Sequence, residues 1–331
     1  MKDTDYTSLT GYLRVLEKRL LNREGVERLI DAPNAEEAVK LISQTSQFDL
    51  SGIEAPEMYE AAVKAELKRA FAELYAKAPE TATISIALAK YDYHNVKTAV
   101  KAKYLSGDPE YLYFDYTPVS SKLIRAAAAG EKAETLPEHL AEAVRLGISV
   151  YEQTRDPQVL DIAVDKHMLG YIGGLAGKSE FLREYARFSV DFYNLKTLMR
   201  AKAIGKSARF LKGALAEADG ALPASVFAEN FDQPYDVIAS KMYYKYFGQA
   251  LKHAVEDYEK NGNFSALEKS LDNYLIEHLK KSKYVAFGPE VLLSYILCKE
   301  SEARQIRVIM TCKLNGISAD ILRERLRDNY A

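Results

Sequence analysis

The chain has 331 residues, of which 48% are apolar and 28% are charged, and its net charge at pH 7 is −2. This length and composition are typical of a folded globular protein with two or three domains, and they exclude a disordered chain. The near-neutral balance of charge argues against a nucleic-acid partner, because surfaces that bind nucleic acid carry clustered positive charge.

The sequence also gives no sign of export, membrane insertion or metal binding. The amino terminus MKDTDYTSL has no apolar run, and the apolar runs within EVLLSYILC (290–298) are far shorter than the roughly 20 residues that a membrane span needs. On one helix, Cys298 and Cys312 would lie roughly 21 Å apart, beyond the reach of a disulfide. The five histidines are scattered and there is no CxxC or HxxxH pair, so we expect a cytoplasmic protein without metal or cofactor.

Helical periodicity runs through almost the whole chain. Apolar residues recur at i, i+3, i+4 and i+7 in GYLRVLEKRLL (11–21), NAEEAVKLISQ (34–44), YEAAVKAELKRAFAELYAK (59–77), EHLAEAVRLGISVYEQ (138–153) and SALEKSLDNYLIEHLKK (265–281). Only YLYFDY (111–116) has the composition of a strand. The sequence therefore predicts an all-α protein.

A twelve-residue pattern occurs three times, as DYHNVKTAVKAK from residue 92, DFYNLKTLMRAK from 191 and EARQIRVIMTCK from 302. Each copy begins with an acid, has an amide three residues later, and closes with a lysine. The acid–amide pairs are Asp92 and Asn95, Asp191 and Asn194, and Glu302 and Gln305. Basic residues follow at Lys97 and Lys101, Lys196 and Arg200, and Arg307, where the third copy has Thr311 instead of a second base.

A second pattern precedes each copy, in YEAAVKAEL (59–67), LDIAVDKHM (160–168) and LEKSLDNYL (267–275). These blocks align on Glu60, Asp161 and Glu268, which stand 32, 30 and 34 residues before the acid of the following block. Two blocks that keep their order and spacing three times indicate an internal repeat of about 100 residues. We place the repeats at 1–106, 107–206 and 207–331.

The repeated polar positions have two interpretations. At about 100° per residue, the acid and the amide share one helix face with an apolar stripe, while the bases lie on the opposite side. In the first interpretation the acid–amide pair is structural, bonding backbone at a helix junction, and the bases are solvated. In the second, Lys97, Lys101, Lys196, Arg200 and Arg307 converge on a partner.

Three helical units can stack as an open solenoid or close around a pseudo-threefold axis. An open solenoid needs polar end caps, yet EVLLSYILC near the carboxyl terminus is among the most apolar stretches. The pattern therefore favours closure, which would leave a central concavity.

The stretch FGPEVLLSYILCKESEARQIRVIMTCKLNGISADILRERLR (287–327), with FSALEKSLDNYLIEHL (264–279) upstream, resembles the C subunit of the archaeal and bacterial A/V-type rotary ATPases, called the d subunit in eukaryotic V-type enzymes. The threefold repeat, the length and the all-helical pattern extend the resemblance over essentially the whole chain.

The resemblance implies a funnel of three similar helical domains on the cytoplasmic face of the membrane-embedded proteolipid ring. The funnel receives the central rotor stalk and couples it to the ring for proton or sodium transport. It also implies a non-catalytic component that is a monomer within a hetero-complex and has no small-molecule substrate. The third copy departs from the other two, because Arg307 is followed by Val308 and Thr311 instead of a threonine and a second base. This breaks any equivalent contact of the bases with the shaft in all three repeats, but an asymmetric shaft does not require such equivalence.

Two other functions compete with this one. The stretch GGLAGKSE (173–180) resembles a nucleotide-binding loop, but the first glycine of GxxxxGK[ST] falls on Ile172 and the preceding segment has helical period where a strand is needed. A helical-repeat scaffold that binds other proteins is the second alternative. It would have its first and third repeats far apart, whereas the funnel brings them into contact.

The position of GKSE within the repeat indicates that it marks the start of a helix. Pro79, Lys178 and Pro289 stand thirteen residues before the three acids, each at a helix-breaking position followed by a helix-favouring start. The sequence thus predicts long helices of about 26 residues, with Ser179 capping the second of them. Left-handed caps are expected where they end, at Gly107, Gly205 and Gly316.

Overall fold

A computed structural model describes residues 2–105 and 110–330, which form helices joined by loops without a β-strand among them. The all-α prediction is confirmed. The first eight α-helices in the described residues are α1 (Thr7–Glu17), α2 (Arg23–Asp31), α3 (Ala35–Thr45), α4 (Tyr59–Lys77), α5 (Ala82–Tyr104), α6 (Ser121–Ala129), α7 (Glu138–Thr154) and α8 (Pro157–Leu175). The next eight are α9 (Glu180–Ala203), α10 (Ala208–Ala214), α11 (Ala224–Ala228), α12 (Tyr235–Met242), α13 (Gly248–Asn261), α14 (Ser265–Lys280), α15 (Pro289–Leu314) and α16 (Ala319–Arg325).

The chain divides into two compact units. Unit 1 comprises Met1–Pro79 and Pro234–Ala331, and unit 2 comprises Glu80–Gln233. Unit 1 thus contains α1–α4 and α12–α16, while unit 2 contains α5–α11. The division falls between α4 and α5, inside the predicted first repeat, and the repeat boundaries stay a prediction.

Unit 1 is built around α15. This helix packs against α1, α3, α4, α14 and α16, and its residues 291–298 are all buried. A helix that is apolar on every side belongs at the centre of a core, because no face of it can be left in water. The apolar stretch near the carboxyl terminus therefore serves as the centre of a unit and not as its edge.

Unit 2 is centred on α5, which packs against α6, α7 and α8. Gly147 on α7 permits the close approach of these helices. A side chain begun at residue 147 would place its Cβ 3.4 Å from Val100 on α5 and 3.4 Å from Val164 on α8. Since those neighbours are fully buried, the packing leaves room for glycine and little more.

The long helices begin and end close to the predicted residues. α5, α9 and α15 have 23, 24 and 26 residues, compared with the predicted length of about 26. Gly205 and Gly316 follow α9 and α15 with φ of +66° and +63°, the left-handed conformation that glycine adopts at little cost. Both predicted caps are confirmed, while the one at Gly107 lies outside the described residues.

Residues 111–116, whose composition suits a strand, form the end of a short 3₁₀ helix followed by irregular chain. Their backbone is paired with a side chain instead of a neighbouring strand, as described below. Within 2–105 and 110–330, no helix combines the length and the apolar character that a bilayer crossing requires.

Candidate functional site

The acid and amide residues of the three copies, called the signature residues from here on, are all buried. Asp92 and Asn95 lie on α5, Asp191 and Asn194 on α9, and Glu302 and Gln305 on α15. A buried polar group costs free energy unless it is hydrogen-bonded, so the partners of these six side chains explain why polar residues occupy core positions.

The asparagines on α5 and α9 make the same contact. Asn95 Nδ2 donates to the Phe114 carbonyl oxygen at 2.6 Å, and Asn95 Oδ1 accepts from the Phe114 amide at 2.9 Å. On α9, Asn194 Nδ2 donates to the Ala216 carbonyl oxygen at 3.0 Å and its Oδ1 accepts from the Ala216 amide at 2.8 Å. Each asparagine therefore satisfies both backbone groups of one residue in an irregular segment about 20 positions downstream.

Gln305 makes a related contact on α15. Its Nε2 donates to the Arg327 carbonyl oxygen at 3.1 Å and to Asn329 Oδ1 at 2.6 Å. The segment that it holds again lies about 20 residues downstream, beyond the short helix α16. The longer glutamine side chain bonds two points of the segment and does not exchange a pair of bonds with one residue.

The aspartates hold a second point of the same downstream segments. Asp92 Oδ1 accepts from the Thr117 hydroxyl at 2.7 Å, and burial raises the pKa of Asp92 to about 7 despite this bond. Asp191 Oδ1 accepts from the Leu222 amide at 3.2 Å. It also lies so close to Gly220 that any side chain at residue 220 would collide with it.

Glu302 is different, because it reaches the amino-terminal part of unit 1. Its Oε1 accepts from the Leu21 amide at 2.8 Å, and its Oε2 lies 3.5 Å from the buried Lys299 Nζ. Burial raises the pKa of Glu302, and the nearby Lys299 opposes that rise. Lys299 also lies 3.4 Å from Glu66 Oε1 and 3.9 Å from the centre of the Phe48 ring.

The two lysines predicted to bind a partner on α5 form ion pairs with α8. Lys97 Nζ lies 2.6 Å from Asp165 Oδ1, and Lys101 Nζ lies 2.7 Å from Asp161 Oδ2. The lysine side chains are 22% and 31% exposed, so the pairs border solvent. Burial raises the pKa of Asp165, and Lys97 partly offsets the effect.

The base on α15 pairs in the same way with α4. Arg307 Nε and Nη2 donate to Glu60 Oε2 and Oε1 at 2.8 and 3.0 Å. Thr311, which stands where the other repeats have a second base, lies 3.3 Å from the Tyr59 hydroxyl through its Oγ1. The departure from the repeat therefore replaces an ion pair with a contact between two neutral hydroxyls.

On α9, Lys196 is half-buried and Arg200 is exposed, and both interact with other residues of the chain. Of the five bases, Lys97, Lys101, Lys196 and Arg200 belong to unit 2 and Arg307 to unit 1. Their contact with a partner stays a prediction, and for Lys97, Lys101 and Arg307 a partner would have to compete with an internal carboxylate.

Sequence reasoning misses the acids that pair with these bases. The repeat pattern marks Glu60 and Asp161 as the first block's aligned acids but gives them no role. In the structure, Asp161 of the second repeat pairs with Lys101 on the long helix of the first repeat. Glu60 of the first repeat pairs with Arg307 on the long helix of the third repeat. An acid that recurs in one block and a base that recurs in the other indicate that the two blocks can form ion pairs, but they do not indicate which acid meets which base.

The stretch GGLAGKSE joins two helices. α8 ends at Leu175, α9 begins at Glu180, and Gly177 between them has φ of +58°. Ser179 caps α9, with its Oγ accepting from the Leu182 amide at 3.4 Å. The predicted cap is confirmed, and the segment before the glycines is a helix as predicted, whereas a nucleotide-binding loop follows a strand.

Comparison with known proteins identifies a family over nearly the whole chain. Residues 9–325 match the sequence profile of the family described as ATP synthase (C/AC39) subunit. The match includes α2–α16 and most of α1, so all six signature residues fall within it.

Several relatives are similar over most of their length. The C subunit of the V-type sodium ATPase of Enterococcus hirae is 24% identical over 331 residues, covering 98% of this chain and 99% of the relative. The C subunit of the A-type ATP synthase of Methanocaldococcus jannaschii is 24% identical over 97% of this chain and 86% of its own length. The protein of the same description from Halorubrum lacusprofundi is 28% identical over 72% of each chain.

Proposed function

The chain belongs to the ATP synthase (C/AC39) subunit family, and from this membership we propose that it is the C subunit of an A/V-type rotary ATPase. In this role it links the central rotor stalk to the proteolipid ring in the membrane and has no catalysis of its own. The partners are the stalk proteins and the ring. The protein lies on the cytoplasmic face of the membrane, held there through the ring, as one copy in a hetero-complex.

The observation that carries the proposal is the packing of the two chain ends in unit 1. α1, α3 and α4, from the predicted first repeat, pack against α15 of the predicted third repeat. Lys313 Nζ adds hydrogen bonds of 2.5 Å to the carbonyl oxygens of Ile30 and Ala32. An extended solenoid keeps its terminal repeats apart, so this contact favours three repeats closed around a pseudo-threefold axis over the scaffold alternative.

The signature residues suit a part that transmits torque. The asparagine bonds of α5 and α9 and the glutamine bonds of α15 fix irregular chain to a long helix from inside the core. Because a buried, satisfied polar network opposes rearrangement, such a unit deforms less than helices joined only by apolar contact. We assign Asp92, Asn95, Asp191, Asn194, Glu302 and Gln305 this structural role in the repeat.

The test is reconstitution with the central-stalk and proteolipid proteins of the same organism. The protein is expected to bind both, and a complex that lacks it should hydrolyse ATP in its isolated head while ion transport stops. Failure to bind either partner would contradict the proposal. Reconstitution of the whole complex in lipid vesicles then identifies the coupled ion, by comparing proton uptake with sodium uptake.

A further inference from the structure

The turn between α12 and α13 exposes two tyrosines, Tyr243 and Tyr244, which are called the tyrosine pair below. Tyr243 is 40% exposed and Tyr244 is 94% exposed, although Met242 and Phe247, which bracket the turn, are almost fully buried. Gly248 packs against the backbone of Tyr243 so closely that no larger residue fits. The two tyrosine side chains are therefore exposed to solvent, while the backbone of the turn is fixed by the buried residues on either side of it.

The two rings form an edge-to-face pair. Their centres are 5.4 Å apart and their planes are inclined by 85°. Tyr246, in the same turn, packs instead against Tyr274 on α14, with 5.2 Å between the ring centres. Perpendicular rings present an open π-face together with a neighbouring edge, and an aromatic face attracts cations.

The tyrosine pair lies at one end of a groove of about 320 Å³ between α12 and α13. One wall is the α12 face with Asp236, Ala239 and Ser240, and the other is the α13 face with Lys252, Glu256 and Glu259, spaced by one helical turn. Because a short turn joins the helices and they pack together, they run antiparallel, so Asp236 and Glu259 share the end away from the tyrosines.

The charge of the groove is negative and incompletely compensated. Of its three carboxylates, Glu256 lies 4.0 Å from Lys252 and 3.7 Å from His253, and neither Asp236 nor Glu259 forms an ion pair within the described part of the chain. Aromatic faces at one end and uncompensated carboxylates at the other both select for positive charge.

We propose that this groove is a docking site for a basic segment of another protein, a helix whose two arginine or lysine side chains lie two turns apart. One cation stacks on the Tyr243–Tyr244 pair, next to the ion pair of Lys252 and Glu256, and the other reaches Asp236 and Glu259. The lining residues run from Asp236 to Tyr243 on one side and from Lys252 to Glu259 on the other, seven positions or about 10 Å each, which equals two turns of the docking helix. The surface is separate from the signature residues of the long helices, and the inference does not depend on the proposed coupling role.

A fluorophore on Ser240→Cys reports occupancy directly. Ser240 is exposed in the groove wall, whereas Cys298 and Cys312 are buried, so the new thiol is labelled selectively in the intact chain. The probe is an alanine-rich helical peptide with two arginines two turns apart, and its control carries citrulline, which keeps the shape of arginine without the charge. We expect saturable binding of the arginine peptide that weakens as salt is added.

Substitutions in the groove should lower the affinity, and one outside it should not. We expect Tyr243→Ala with Tyr244→Ala, and separately Glu259→Gln, to weaken binding about three- to tenfold. Tyr284→Ala is the matched control, because Tyr284 is 93% exposed and lies outside the groove. Equal affinity for the citrulline peptide, or unchanged affinity in the groove variants, would overturn the proposal. So would sedimentation showing that the chain forms a dimer which Tyr244→Ala dissociates, because a second copy would then occupy the groove.

Discussion

Arg307 on α15 binds Glu60 on α4 through two parallel hydrogen bonds, although the residues are 247 positions apart in the sequence. A guanidinium matches a carboxylate in this fork geometry, which makes the pair more specific than a single contact. The side chains are 31% and 38% exposed, so solvent screens the attraction. We assign the pair about 0.5–1 kcal/mol of stabilisation.

Reversing the charge of Arg307 tests this pair. Arg307→Glu places two carboxylates together and is expected to lower the free energy of unfolding by about 1 kcal/mol. Arg307→Glu combined with Glu60→Arg should restore most of the loss, because the opposite charges again face each other. Urea unfolding of the two single variants and the double variant measures the coupling, and a loss that persists in full in the double variant would contradict the assignment.

The same variants separate an internal role of Arg307 from a contact with the central stalk. If Arg307 serves only to join α15 to α4, the double charge reversal restores binding of the central stalk together with stability. If Arg307 also contacts the stalk, the double variant folds normally but binds the stalk more weakly. Titration of the reconstituted stalk proteins with each variant distinguishes the outcomes.

The bonds of Asn194 predict a large local effect. Asn194→Ala leaves the Ala216 amide and carbonyl without the bonds that Asn194 supplies, and Ala216 is only 2% exposed within a cluster with Leu169 and Val190. The expected loss in the free energy of unfolding is about 2–4 kcal/mol. Hydrogen exchange of the Ala216 amide should accelerate more than that of amides in α5.

A control exists at the end of α15. Asn315 Nδ2 donates to the Thr311 carbonyl oxygen at 2.7 Å, but this bond is exposed and water can replace it. Asn315→Ala should therefore change stability by less than about 0.5 kcal/mol. Equal effects of the two substitutions would show that burial of the Asn194 bonds does not matter.

Asp92 predicts a dependence of stability on pH. Its pKa is about 7 in the folded chain against an ordinary value of 3.8, so the folded state binds the extra proton between these values. Proton binding by Asp92 therefore adds to the stability of the folded chain, fully below about pH 4, and this added stability is lost as pH rises through 7. Relative to Asp92→Asn, which keeps an acceptor for Thr117, the unsubstituted chain should lose about 2–4 kcal/mol of stability over this interval.

Asp49 supplies a control of opposite sign. Its carboxylate accepts bonds from the hydroxyl and the amide of Ser51, which lower its pKa. Any contribution of Asp49 is thus lost as pH falls, and Asp49→Asn should not reproduce the change seen with Asp92→Asn. A pH profile of Asp92→Asn parallel to that of the unsubstituted chain would mean that Asp92 stays ionised when buried.

Much of the helical structure is predictable because it follows local rules. The predicted segment 59–77 coincides with α4, and its buried residues Val63, Leu67, Phe71 and Leu74 repeat at the helical period. Breaker residues and a serine cap locate the start of α9, and glycines locate the ends of α9 and α15. These signals need only neighbours in sequence.

The partners of the polar side chains are not predictable from the same signals. The segments at 113–117 and 214–222 show no helical or strand periodicity in their sequence. Their conformation is fixed by hydrogen bonds to side chains of α5 and α9, which lie about 20–30 residues away in the chain. The pairing of Lys101 with Asp161 depends on how helices pack, and charge alone does not tell which acid meets which base. The division of the chain after Pro79 likewise follows from packing and does not coincide with a repeat boundary.

Lys299 provides the last prediction, because it is a fully buried cation whose ammonium has no hydrogen-bond partner among the described residues. Glu66, Glu302 and the Phe48 ring surround it at 3.4–3.9 Å. Lys299→Met removes the positive charge and leaves the buried Glu302 uncompensated, which is expected to cost about 3–5 kcal/mol. The loss should shrink as pH falls, since protonation of Glu302 then removes the unpaired charge.

Adding Glu302→Gln to Lys299→Met should recover most of the stability. Glutamine keeps an oxygen for the Leu21 amide but carries no charge, so neither member of the buried pair remains ionised. Lys40→Met is the matched control, because Lys40 lies 3.4 Å from Glu37 with its side chain 68% exposed. Urea unfolding at two pH values measures the unsubstituted chain and the three variants. A double variant no more stable than Lys299→Met would show that the lysine acts through the packing of its stem over Phe48 and not through its charge.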